Sequence, residues 1–392
     1  MNRSSVAVLS LILARILYTV NWFNIASIFY LMASEFRQDL SMLGLVSAAF
    51  LVGVGLFQVP AGLLVVKIGT RKMAIYGIFI ASFAAIASGL SEDSGELATM
   101  RFIVGVGMAC FFGPSVILIS KYLGKGSEGV GIGLLNSAHA IGGIFGLFGW
   151  VVLAEAIGWR MSLVISGGLG ALSGLLLCLA LLKESNNEIK NFTIKMYDIA
   201  ATIFNKELII LGITLLGFQA GASLILTFAI AYFVQDLRID SITASLISSL
   251  SLITALGSSP LFGRIYDRIR DAKKLLFVSG MASGFCFLGI ANSSLYVIIV
   301  SVILAGFFLS AGFVIVYARA KEINRFQTKY QTLAVGFVNG LSLFGAFWIP
   351  ILFSLIVNRS GYVTAWLVGG IIVGLFILPV IKLTSANRHL SK

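Results

Sequence analysis

Long apolar stretches separated by short polar breaks run almost end to end through this 392-residue chain. Twelve can be drawn, at roughly 6–31, 42–66, 73–90, 97–120, 129–155, 161–182, 208–234, 242–262, 275–291, 295–318, 332–357 and 363–381. A helix that crosses a bilayer needs about 20 apolar residues, whereas a membrane-barrel strand needs about 10 that alternate polar with apolar. These stretches are too long and too uniformly apolar for strands, so each predicts a transmembrane helix. Only 11% of the chain is charged and 58% is hydrophobic. Soluble proteins carry about 25% charged residues, so an ordinary soluble enzyme is excluded, and so is a disordered chain. The first stretch is long and no A-x-A-like cleavage site follows it, so it is read as a span rather than a leader.

The net charge is +12. In a soluble protein that excess would suggest nucleic acid. Here it reads as a topology signal, and no nucleic-acid partner is expected. With both termini cytoplasmic, 22 of the 28 Lys and Arg residues fall in cytoplasmic segments. Only Arg37, Arg160, Arg238 and Arg359 fall outside, while Arg15 and Arg101 lie within spans. The asymmetry follows the positive-inside rule and supports an even span count. The expectation is a multi-pass protein of the cell membrane, solvated by the lipid bilayer and monomeric. Cys110, Cys178 and Cys286 all sit in apolar stretches, with neither disulfide nor metal-ligand spacing, and read as packing residues.

The longest polar stretch, Lys183–Lys206, separates six spans from six. It predicts a six-helix unit over 1–183, a cytoplasmic linker over 184–206 and a second six-helix unit over 207–392. Around 194–204 the linker is amphipathic enough for a short surface helix, a solvated linker being the alternative. The halves repeat. Gly62 answers Gly263 and Gly105 answers Gly306, each pair 201 residues apart. Gly133, Asn136 and Gly142 in GIGLLNSAHAIG answer Gly336, Asn339 and Gly345 in AVGFVNGLSLFG, 203 residues later. A two-fold repeat of six spans predicts an all-α membrane protein of two bundles related by a pseudo-two-fold axis, able to rock about a central site.

The loop between spans 2 and 3 carries Gly62, Leu64, Lys67, Gly69, Arg71 and Lys72. It resembles the cytoplasmic G-x-L-A-D-R-x-G-R-R signature of the major facilitator superfamily of secondary transporters. Val66 stands at the acidic position. The second-half copy keeps its acid in Gly263-Arg-Ile-Tyr-Asp267-Arg268 but has Arg270 in place of the second glycine. Arg101-Phe-Ile-Val-Gly105-Val-Gly107 is similar to the family's R-x-x-x-G-x-G element, and Gly158-Trp159-Arg160 is also typical. The resemblance covers the whole chain. It implies the twelve-helix, two-bundle fold and a conformational role for these loop residues, with the acid latching one state. A carboxylate at Asp267 would find its partner at the positive N-terminal end of span 5, near Gly129. A purely topological basic loop is the alternative.

Inside the spans no carboxylate is expected near the midplane, but two cations are. Arg15 lies nine residues into span 1, about 13 Å along the helix. It is either an anion-binding group or a side chain reaching back to the interface. Arg101, near the outer end of span 4, is assigned a structural or gating role. His139, about 15 Å into span 5, is the one span residue that could cycle a proton near neutrality, a packing histidine being the alternative. Asn136 lies one turn earlier, and Asn339 is its repeat mate. Asn21 and Gln219 add neutral polar groups, which can equally bind solute or join helices. Trp22, Phe111, Phe112, Tyr317 and Trp348 are candidate cavity walls. No phosphate-cradling loop, catalytic triad or metal spacing occurs, so no enzyme activity, cofactor or metal is expected.

Two buried cations without a buried acid favour a small anionic or polar organic solute over a cation. Span 5 lacks the Gly-Pro pair of the family's antiporter branches, and FLVGVGLFQVPAG in span 2 is similar to its anion-handling branches. The expected function is secondary active transport by alternating access, with protons coupled through His139 in symport. A drug-type exporter with a neutral aromatic pocket is the alternative, and a non-transporting sensor or scaffold is an alternative of another class.

Overall fold

A computed structural model describes residues 3–36, 40–124, 126–181, 196–323 and 330–383. No strand occurs among the described residues. The helices are α1 (Arg3–Ser27), α2 (Phe29–Phe36), α3 (Leu40–Ile68), α4 (Thr70–Leu90), α5 (Ser94–Leu123), α6 (Glu128–Ile144), α7 (Trp150–Ile157) and α8 (Trp159–Leu181). They continue as α9 (Met196–Ile203), α10 (Lys206–Gln235), α11 (Ser241–Ile269), α12 (Ala272–Ile290), α13 (Leu295–Ile323) and α14 (Gln331–Ile377). Short polar side chains start several of them by accepting otherwise unpaired backbone N–H groups. Asp93 caps α5 through the amides of Gly95 and Glu96, and Asn205 caps α10 through those of Glu207 and Leu208. Asp240 and Asp271 do the same for α11 and α12.

Eleven helices among the described residues are long and apolar enough to cross a membrane. At about 1.5 Å per residue, the 47 residues of α14 would extend about 70 Å, twice the hydrocarbon thickness of about 30 Å. Gly361, at φ 80° and ψ 171°, breaks it. Only glycine adopts that backbone readily. Residues 331–360 and 362–377 are therefore two spans, which brings the count to twelve and makes this a multi-pass membrane protein. The surface helix expected at 194–204 forms as α9. The rest of the linker, 182–195, lies outside the described residues.

The chain forms two compact units. Unit 1 comprises Met1–Lys125, Ala138–Thr202 and Asn324–Gly340. Within it α3 and α4 lie along α5, α4 along α8, and α1 along α8. Gly105 sets the α3–α5 approach, where an added Cβ would lie 2.8 Å from the Val54 nitrogen. Unit 2 comprises Gly126–Ser137, Ile203–Ile323 and Leu341–Lys392. There α13 is flanked by α10, α11 and α12. Gly306, the repeat mate of Gly105, packs in the same way on Ser251 of α11.

Two helices, α6 and α14, are divided between the units. The start of α6 belongs to unit 2, and the start of α14 belongs to unit 1. Glycines explain both. In unit 2, Gly129 lies against Gly263, and a Cβ on Gly133 would stand 2.8 Å from Pro260 Cα. In unit 1, a Cβ on Gly62 would stand 2.7 Å from Leu333 Cα, and one on Gly336 would stand 2.8 Å from the Gln58 carbonyl oxygen. Small residues let helix backbones close to contact where no hydrophobic force separates helix from lipid.

Candidate functional site

The site in unit 1 starts from the glycines of α6. Gly142 lies on α1 so closely that an added Cβ would be 2.7 Å from Thr19 Cβ, and Gly146 packs on Val20 one turn further. Between Phe145 and Gly149 the helix widens to a π turn, an irregularity frequent at functional sites. The close approach sets His139, one turn before Gly142, against Arg15 and Thr19 of α1. His139 Nδ1 is 2.9 Å from Thr19 Oγ1 and 3.4 Å from Arg15 Nη2. Thr19 Oγ1 in turn donates to the Arg15 carbonyl at 3.0 Å.

Arg15 is 7% exposed. Its guanidinium sits over two rings, 4.4 Å from the centroid of Tyr18 and 5.0 Å from that of Phe112. Further aromatic contacts surround this pair. Tyr18 meets Phe111 and Trp22, Trp22 meets Phe50 edge-on, and Trp22 and Phe23 both face His139. Stacking on desolvated rings contributes about 2 kcal/mol, less than the cost of burying a cation at a helix centre, about 2.5–3.5 kcal/mol. Among the described residues, Arg15 Nε and Nη1 have no hydrogen-bond partner. A buried guanidinium with two idle donors, aromatic walls and a neighbouring imidazole can take a planar oxyanion.

Arg101 also has Nε and Nη1 without partners among the described residues, but its Nη2 is committed to the backbone. It is 1% exposed, and its Nη2 donates to the Asn21 carbonyl at 2.6 Å. The guanidinium lies 5.0 Å from the Phe50 ring. Asn21 is bonded from both ends of its side chain, Nδ2 donating to the Leu17 carbonyl at 3.1 Å and Oδ1 accepting from Ser166 at 2.9 Å. This group fastens α1 to α5 and α8. Asn339 is buried in the same unit, on the first turns of α14.

The loop signature is also structural in unit 1. Arg71 is buried and donates to the Leu181 carbonyl at the end of α8, where a cation meets the negative helix terminus. Gly69, at φ 90°, turns the chain between α3 and α4, and Lys67 and Lys72 are exposed.

In unit 2 the acid of the second signature reaches its expected partner. Asp267 accepts from the amides of Gly129 at 2.8 Å and Val130 at 3.1 Å, at the start of α6. Arg268, expected to share its role, is exposed, and Arg270 takes the ion pairs instead. Arg270 bonds Glu322 and lies 3.1 Å from Glu128. Its backbone, at φ 54°, holds the left-handed conformation that the family's glycine would supply. Partial burial opposes its charge, but the Glu322 and Glu128 carboxylates hold its pKa above the ordinary arginine value. Asn136 donates to Ser259 at 2.7 Å and so joins α6 to α11, whereas Gln219 is half-buried in α10. Asp267→Asn should loosen the start of α6 from α11 by about 1 kcal/mol, a roughly fivefold population shift. Spin-label distances between positions 127 and 274 would register it as a longer component, and an unchanged distribution would count against it.

Sequence reasoning passed over Thr19, Tyr18 and Gln58. Gln58, one polar residue in an apolar span, was the legible signal among them.

Residues 11–218 and 208–392 each match the sequence profile of the Major Facilitator Superfamily. The chain belongs to the major facilitator superfamily. Superfamily members are transporters, not enzymes, and this protein is a membrane transporter. It is 24% identical to a probable sulfoacetate transporter of Cupriavidus necator, SauU, over 93% of this chain and 91% of that one. It is 26% identical to the sialic acid transporter NanX of Escherichia coli K12, over 93% and 88%. The superfamily transporter FucP in its outward conformation shares the fold at a TM-score of 0.78 and 14% identity, over 97% of this chain and 99% of that one.

Proposed function

We propose that this transporter moves a small organic anion by alternating access, with a proton as co-substrate. The buried Arg15 guanidinium, with two nitrogens lacking partners among the described residues, carries the proposal. A carboxylate or sulfonate would take one of those donors together with Nη2 in the bidentate geometry that guanidinium favours. Sulfoacetate and sialic acid, in the names of two relatives, are both organic anions. The aromatic walls would also suit the neutral amphiphile of a drug-type exporter, but such a solute leaves Arg15 unpaired.

His139 supplies the coupling. Nδ1 either accepts from Arg15 or carries a proton toward Thr19, whose own hydrogen serves the Arg15 carbonyl. A second positive charge beside Arg15 is disfavoured by repulsion and desolvation. A bound anion removes the repulsion, so proton and anion bind together, and that linkage is reciprocal. Asp267, with Gly263 and Arg268, and Gly62, Lys67, Gly69, Arg71, Lys72, Arg101 and Gly105 in unit 1 are assigned to conformational control. The basic ends and both termini are placed in the cytoplasm.

The test is uptake by proteoliposomes of carboxylates, sulfonates, organic cations and neutral sugars, with and without an inward proton gradient. Anion uptake driven by the gradient is the expected result. Transport of a cation alone would overturn the proposal.

A further inference from the structure

Gln58 lies in the membrane-spanning part of α3 and is 1% exposed. Among the described residues neither its amide nitrogen nor its amide oxygen has a hydrogen-bond partner. Burying both groups unpaired is unfavourable, and an apolar residue of similar shape would avoid the penalty. Its repeat mate makes the contrast. Ser259, 201 residues later, is satisfied by Asn136. Gln58 instead faces two glycines of α14. A Cβ on Gly336 would stand 3.6 Å from Gln58 Oε1, and one on Gly340 would stand 3.4 Å from Gln58 Cβ. Bare backbone on that side leaves the amide without a side-chain partner from either glycine.

The level of Gln58 can be fixed against Arg15. Trp22 of α1 and Phe50 of α3 touch edge-on at 4.9 Å. Consecutive spans run antiparallel. Arg15 lies seven residues back along α1 from that contact, about 10 Å, and Gln58 lies eight residues onward along α3, about 12 Å. Both are displaced in the same direction, so Gln58 and Arg15 share one depth.

We propose that the Gln58 carboxamide is a second solute contact, which reads a hydrogen-bonding group on the anion held by Arg15. It follows that the substrate class is a small organic anion bearing a hydroxyl, amide or second oxygen function, rather than a simple aliphatic acid. The proposal rests on the anion binding at Arg15. An amide suits the task because it donates and accepts, and so takes a hydroxyl in either sense. A site built to bond a hydroxyl rejects the analogue lacking it, because its own polar groups then stay unpaired.

The test uses the full-length protein and matched probes that differ in hydroxylation: isethionate against ethanesulfonate, 4-hydroxybutyrate against butyrate, and gluconate against hexanoate. Wild type should bind at least one hydroxylated member about tenfold or more tightly than its partner. Gln58→Met should abolish that preference, leave the plain member within about twofold and raise the melting temperature of the ligand-free protein, while Gln58→Asn keeps part of the preference. Equal losses for both members, an intact preference, or a lowered melting temperature in Gln58→Met would each overturn the assignment. Arg15→Gln separates the two proposals. If wild type binds none of the six, or Arg15→Gln binds them unchanged, the anion site falls and Gln58 with it. If Arg15→Gln loses binding while Gln58→Met keeps the preference, only the role of Gln58 falls.

Discussion

Arg15→Gln should reduce anion affinity and uptake about a hundredfold or more. The guanidinium offers Nε and Nη1 as charged donors with no competing partner among the described residues. Hydrogen bonds to charged groups contribute about 1.5–3 kcal/mol each, so two amount to at least about 3 kcal/mol, more than a factor of 100 in binding. Glutamine keeps one donor and loses the charge. Arg15→Lys should fall well short of wild type, because an ammonium lacks the planar fork and stacks poorly between Tyr18 and Phe112. Binding calorimetry with a carboxylate and a sulfonate measures the loss. A melting curve separates it from misfolding, since removing a buried charge should raise, not lower, the stability of the ligand-free protein. An unchanged dissociation constant in Arg15→Gln would remove the anion site altogether.

How far this site was legible in the sequence depends on the residue. Arg15 and His139 stand out because charged and titratable side chains are costly in lipid and rarely tolerated without a purpose. Their depths, about 13 and 15 Å along their spans, put them at one level, but the contact itself was not legible. Their contact depends on Gly142 and Gly146 lying against α1 and on the π turn after Ile144, and a periodic pattern encodes neither. Asn21 illustrates the opposite limit. Its polarity invites a solute, yet its side chain is spent on the Leu17 carbonyl and Ser166. A polar residue within a span signals a hydrogen bond, but its partner is fixed only by packing. Arg270 looked like a lapse from the loop signature. In three dimensions it keeps the backbone conformation of the missing glycine and adds ion pairs to Glu128 and Glu322, which glycine could not make. The span count, by contrast, followed from hydropathy alone, including the break between the last two spans that Gly361 makes.

His139→Gln should leave anion binding largely intact and abolish its pH dependence. In wild type, if one proton enters with each anion, affinity should fall up to tenfold per pH unit as the pH rises above the range in which the imidazole is protonated. The sign follows from the charges. At high pH the ring is neutral and Arg15 Nη2 can donate to Nδ1, so part of the guanidinium stays engaged with the histidine. When anion and proton arrive together, the anion draws Nη2 into its own fork. Nδ1–H then turns to Thr19 Oγ1, which at 2.9 Å is already within reach and whose hydrogen is committed to the Arg15 carbonyl. In the doubly loaded state Nη2 and Nδ1–H each find an acceptor. Glutamine preserves a hydrogen bond to Thr19 but cannot gain a charge. The variant should therefore bind equally from about pH 5 to about 8, exchange anion for anion across the membrane, and fail to concentrate it against a gradient. Counterflow measured beside net uptake distinguishes this from a simple loss of activity. Retention of the wild-type pH profile in His139→Gln would place the proton site elsewhere. If counterflow and net uptake fell together, His139 would instead be needed for the conformational change itself.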